Sequence, residues 1–170
     1  MTKRMITSVN RTTLAEAALA LIQKDGLDAL TMRTLADRTG VKAASLYWHV
    51  RDREELLELV ADALLARVAA RDQPKDWRGT ALALCKATGA TVAAQRDGDR
   101  ILHGVPAAVR RSAVYTRLVK AVAAGGIDDN GAAEVAAMMI GFVATQPSTR
   151  SAVALLATIE ESNSLPRMGS

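Results

Sequence analysis

Within 23 residues, from Thr31 to Arg53, the sequence gathers guanidinium groups at Arg33 and Arg53, an ammonium at Lys42, hydroxyls at Thr31 and Ser45, an adjacent aromatic pair at Tyr47 and Trp48, an imidazole at His49 and a bare methyl at Ala44. These groups suit a nucleic-acid duplex. A guanidinium fork fits guanine O6 and N7 in the major groove, a methyl can meet only the thymine methyl, and cations and hydroxyls hold register on phosphate.

The local pattern supplies the frame for them. Thr31 can cap a short helix whose Leu35 and Ala36 face inward, with Arg33 near its start, Gly40 can take the left-handed turn, and Val41 plugs the angle before a second helix over 42–50. Leu46 and Val50, four apart, anchor that second helix. Lys42, Ala43, Ala44, Ser45, Tyr47, Trp48 and His49 are left pointing elsewhere, and two aromatics with a histidine on a solvent face need a partner. This is a helix-turn-helix. Ahead of it the spacing predicts a helix with Thr13 as N-cap, Glu16 completing a capping box, an end near Asp25 and Gly26, and a buried stripe of Leu14, Ala17, Ala18, Leu21 and Ile22. Before that helix lies a polar arm, residues 2–11, whose Lys3, Arg4 and Arg11 can reach the minor groove or backbone. Residues 1–53 thus form a three-helix head. They carry nine Lys/Arg against five Asp/Glu while the remainder balances, so the whole net charge of +4 sits on the head. That is an electrostatic footprint for phosphate.

The run Leu46-Tyr47-Trp48-His49-Val50, with Thr31-Met32-Arg33 and Gly40-Val41 before it, resembles the DNA-binding domain of the tetracycline-repressor (TetR) family of bacterial transcription regulators, and within it the tetracycline-repressor branch. The resemblance runs from about Thr13 to Val68 and is weaker beyond. It implies that Arg33 approaches a guanine, that Tyr47 and His49 touch backbone and thymine methyls, that Trp48 packs at the backbone edge and helps hold the recognition helix, and that Arg53 stands where the branch places a lysine on phosphate. An indole also often fills a core gap, which is the other reading of Trp48. Ala43-Ala44 replaces the branch's glutamine and proline, so the operator is expected to differ. In the body, Leu102 stands where the branch has a histidine ligand for drug-bound magnesium and His103 falls one residue along, about 100° around a helix. Magnesium-tetracycline recognition is therefore not expected.

Residues 54–170 read as a second, helical domain, and the fold class is all-α. Alanine and leucine abound, prolines number four, and no stretch alternates long enough for a strand. Asp52 caps a long helix to about Arg71 with Leu56, Leu57, Val60, Leu64 and Val68 in register; it tethers head to body. After a linker, Asp76 caps a helix to about Gln95. A turn carries Leu102 and His103, Pro106 opens a helix to Gly125-Gly126, Asp128 opens one to about Thr145, and Ser148 caps the last to about Glu161. The two last helices are apolar nearly all round, which predicts a homodimer through a four-helix bundle. A small, largely apolar effector is expected among Cys85, Thr88, Val92, His103, Val105, Met138, Met139 and Phe142, where methionines adapt to varied shapes.

The expected partners are thus palindromic double-stranded DNA, an effector and a second copy, with no metal, cofactor or membrane. Cys85 is the sole cysteine, and no apolar run of about eighteen residues or signal-peptide pattern occurs, which points to the cytoplasm. A regulator without effector is the alternative. An enzyme using Cys85 with His103 lacks an oxyanion hole and is not expected.

Overall fold

A computed structural model describes residues 10–68, 76–146, 153–154 and 156–157. Among these residues there is no strand. Helix α1 (Arg11–Asp25) starts earlier than the sequence suggested: Asn10 is the N-cap, accepting from Thr13 N at 2.8 Å, and the Thr13 hydroxyl answers Asn10 N at 3.0 Å. Thr13 is therefore the third helical residue of the box, and Arg11 belongs to the helix rather than to an arm. Residues 1–9 lie outside the described residues.

A 3-10 turn (Leu27–Ala29) leads to α2 (Met32–Thr39) and α3 (Ala43–Leu46), and α4 (Arg53–Ala66) follows under the predicted Asp52 cap. Leu14, Ile22, Leu30, Leu35, Leu46, Leu56 and Val60 are wholly buried and join α1, α2, α3 and α4 into one core. Helix α4 ends at Ala66, where the Arg67 N–H turns back to Leu64 and Leu65. The predicted extension over 69–71 lies outside the described residues.

The body contains α5 (Trp77–Ala94), α6 (Gly98–Gly104), α7 (Pro106–Arg111), α8 (Ala113–Ala123) and α9 (Asp129–Thr145). Residues expected in a turn at Leu102 and His103 form α6. The single helix expected from Pro106 is two, because Ser112 takes an extended conformation (φ −68°, ψ 151°), spends its hydroxyl on Val109 O and caps Tyr115 N. The break lets α7 lie on α4 while α8 packs on α5 and α9. Helix α9 buries Ala132, Ala136, Met139, Ile140 and Val143, and turns Met138 (57% exposed) and Phe142 (45%) outward. The final predicted helix falls mainly outside the described residues; Val153, which is helical, is exposed and Leu156 is buried.

Beside the continuous apolar core, residues 19–28 and 95–100 meet through a polar corner. The Asp97 backbone is left-handed (φ 57°), and its carboxylate, which caps nothing in its own helix, accepts from Leu27 N at 2.7 Å. Around it Arg96 N donates to the Gln23 side chain, the Arg96 guanidinium donates to Lys24 O, and Gln95 donates to Leu19 O. Arg100 grips Asp28 with two bonds of 2.8 and 3.1 Å and holds that carboxyl below its usual range. Gly98 is required here, since a Cβ would lie 2.3 Å from Val92 O.

Candidate DNA interface

Thr31 caps α2 in a reciprocal box: Thr34 N donates to its hydroxyl at 3.1 Å and Thr31 N donates to the Thr34 hydroxyl at 3.0 Å. That hydroxyl is thus engaged before any DNA contact. Gly40 closes the helix in the left-handed region (φ 78°), as the sequence indicated, with half-buried Val41 packed in the angle. Arg33 is exposed on the first turn of α2 and has no partner among the described residues.

Helix α3 is a single turn rather than the nine residues expected over 42–50. Lys42 is its N-cap, Tyr47 ends it, and residues 47–49 continue as a turn held by His49 N to Leu46 O (2.9 Å) and Val50 N to Leu46 O (3.1 Å). Leu46 and Val50 are buried as expected. Lys42, Ala43, Ala44, Ser45, Tyr47 and Trp48 are exposed, and His49 is half-buried. Trp48 is 89% exposed, so it neither fills the core nor holds the helix by packing. An indole left this bare forgoes burial that would otherwise stabilise the fold by about 1.5–3 kcal/mol, the range for a large apolar side chain.

The turn between α3 and α4 is fastened from outside. Arg11 Nη1 donates to His49 O at 2.5 Å and to Glu55 Oε1 at 2.8 Å. Glu55 Oε2 accepts from Arg51 N at 2.8 Å and from Arg51 Nε at 3.1 Å. The bond from the Arg51 amide, then those from Arg11 and the Arg51 side chain, hold the Glu55 carboxyl down to about 2. Neither Glu55 nor this use of Arg11 was anticipated, although Glu55 stands three residues after the cap Asp52, a spacing that invites a carboxylate to reach back. Arg53 gives one nitrogen to Leu30 O at 3.3 Å and is otherwise exposed.

The residues expected around an effector do not converge. Cys85, Thr88, Val92, Val105 and Met139 are buried in the core, and the Thr88 hydroxyl is spent on Leu84 O. Met138 and Phe142 face outward, because the buried stripe of α9 runs through Ala136, Met139, Ile140 and Val143 instead. His103 donates from Nδ1 to Asp99 O at 2.8 Å and borders an open cleft of about 160 Å³ with Leu102, Pro106, Val109, Ile140, Gly141 and Ala144. Among the described residues no group of three His, Cys, Asp or Glu could hold a metal ion, and no helix is long and apolar enough to cross a membrane.

Among the described residues the fold is all-helical with an outward-facing helix-turn-helix in its N-terminal part, an arrangement shared by a class of bacterial regulators. Residues 14–60 match the family described as bacterial regulatory proteins, tetR family. Tetracycline repressor protein class A from transposon 1721 of Escherichia coli is 37% identical over 102 residues, 58% of this chain and 47% of the repressor. The crystal structure of a possible TetR family transcriptional regulator from Streptomyces coelicolor A3(2) is 30% identical with a TM-score of 0.68, over 81% of this chain and 69% of that one. BioQ, crystallised with its natural double-stranded DNA operator, is 25% identical with a TM-score of 0.75, over 90% of this chain and 99% of that one. The chain belongs to the tetR family. It spans about half the length of the curated relatives it matches. Tetracycline repressor class A is by name a repressor, and burial pushes the Cys85 thiol up to about 12, away from the lowered range of an activated nucleophile.

Proposed function

We propose that this protein is a DNA-binding transcription regulator, a repressor that acts in the cytoplasm as a homodimer on a palindromic operator. The observation that carries this reading is the exposed surface of α3 and its following turn: Lys42, Ala44, Ser45, Tyr47 and Trp48 stand clear of the protein, while Leu46 and Val50 fix them to the core. Arg33, exposed and without a partner among the described residues, lies at the start of the preceding helix, as a base-reading guanidinium requires. That BioQ has been seen on a DNA operator supports the same use of this fold. Exposed Met138 and Phe142 on α9, with exposed Val153 beyond, support a second copy covering that face, and a two-fold dimer would present two reading elements to successive major grooves.

The test is binding to duplexes selected by the protein from a randomised pool. Arg33→Ala should weaken the selected duplex by about 1–3 kcal/mol and relax one base step, with random DNA little affected. Equal losses on both would remove Arg33 from base reading.

Release by a small, largely apolar effector is the second half of the proposal. The cleft beside His103 supports it better than the packed Cys85–Met139 region does. The dense packing of that region favours a second reading, a regulator without effector. A panel of lipophilic compounds scored on operator binding separates the two: a typical effector would lower operator affinity about 5- to 150-fold.

A further inference from the structure

We infer that Glu55 is a positioning residue for DNA reading: one carboxylate, bridging Arg11 of α1 and Arg51 before α4, sets the turn that carries Tyr47, Trp48 and His49. The inference rests on the proposed DNA-reading function and deepens it. Helix α3 closes after Leu46, and residues 47–49 continue as a turn in which His49 N and Val50 N both donate to the one carbonyl of Leu46. Two backbone groups frame this turn on the α4 side, His49 O and Arg51 N, and both are tied to the same device. Arg11 donates to His49 O and to Glu55 across 44 positions of sequence, and Glu55 accepts Arg51 N directly. Charge-assisted bonds of this kind are about twice as strong as neutral ones. The Glu55 backbone is itself pinned, because its N–H donates to Asp52 Oδ1 at 2.8 Å. The carboxylate is thus a fixed post, anchored to the first turn of α4, to which the turn is moored.

The choice of a carboxylate here needs an explanation, since a negative charge beside a phosphate-binding surface opposes association with DNA. Removing it by Glu55→Gln would raise the affinity for any duplex if charge were all that mattered. If Glu55 positions the turn, the same change instead costs the contacts that depend on Tyr47, Trp48 and His49, and those are contacts to one chosen sequence. The two effects have opposite signs on specific DNA and separate cleanly.

The experiment uses the full chain and two duplexes: one selected by the wild-type protein from a randomised pool, and a scrambled duplex of the same length and composition. For Glu55→Gln the ratio of selected to scrambled affinity should fall about tenfold, within the range carried by one good base contact, while scrambled binding holds or rises. Hydrogen exchange of free protein should speed up at amides 47–51 and remain unchanged at the Leu14 and Ile22 amides. Arg11→Met, which removes the donor to His49 O and leaves the Arg51–Glu55 bonds, should lower the same ratio even though it lowers scrambled binding as well; it stands in if Glu55→Gln does not fold. An unchanged ratio in whichever variant folds, or equal gains on both duplexes, overturns the inference. A wild-type protein that selects no preferred duplex refutes the DNA-reading function itself, which is a different failure.

Discussion

Substitutions at Asp97 probe the corner between head and body. Leu27 is buried, and its N–H has the Asp97 carboxylate as acceptor at 2.7 Å. A buried donor stripped of its acceptor costs about 1–3 kcal/mol. The backbone adds a second contribution, since Asp97 is left-handed (φ 57°) without being glycine. Aspartate and asparagine tolerate that region, whereas alanine is disfavoured in it by roughly 1–2 kcal/mol. Asp97→Asn keeps both the acceptor and the backbone preference and should cost under about 1 kcal/mol. Asp97→Gly loses the acceptor, and its conformational ease is offset by the greater entropy of its unfolded chain, leaving about 1–3 kcal/mol. Asp97→Ala carries both penalties, about 2–5 kcal/mol. Urea unfolding followed by circular dichroism, at one fixed protein concentration because the proposed dimer would contribute to apparent stability, gives the order. Should asparagine prove as damaging as alanine, the charge beside Arg100 would be the stabilising element, and the reasoning from acceptor and backbone would be wrong.

Glu55 contributes to stability in a defined pH window. Its carboxyl is lowered from an ordinary 4.5 to about 2, so the contribution is complete above 4.5 and is lost as the pH falls from there toward 2. The difference in urea midpoint between wild type and Glu55→Gln should be constant from about pH 5 to 8 and shrink below; a difference that grows on acidification contradicts the network. Cys85, raised from 9.0 to about 12, carries about a thousandfold less thiolate at pH 8 than an ordinary thiol, and native protein should resist iodoacetamide until urea unfolds it. A Cβ at Gly141 would meet nothing within 4 Å, so Gly141→Glu should leave the protomer folded and abolish the proposed dimer by placing an unpaired charge on the face that a second copy would cover. A dimer surviving in sedimentation at micromolar concentration would place the interface elsewhere.

The head was legible because its signals are local. Thr31, Gly40 and Asp52 mark element ends through their own side chain or backbone preference, and the structure uses all three as the sequence indicates. Features imposed by distant partners were not legible. Ser112 sits in a continuous helical pattern and breaks it because α7 and α8 must reach different neighbours. Helix α9 is apolar on nearly every side, so periodicity could not tell that Met139 faces in and Met138 and Phe142 face out. The short α3 has the same origin: the helical spacing of Leu46 and Val50 is also satisfied by a turn, and the turn is held by Arg11, far away in sequence.

The interlocked corner has a consequence for engineering by parts. Regulators built as head and body invite domain exchange, with a cut just ahead of the tether α4. In this chain such a graft would sever more than a covalent link, for residues 95–100 are fitted to the Leu19–Asp28 surface by a buried amide, two backbone carbonyls and a bidentate ion pair. A foreign head would arrive with that mating surface unmatched, leaving Asp97 strained and unrewarded. A working chimera has to carry the corner along with the head, so that the exchangeable module is discontinuous in sequence.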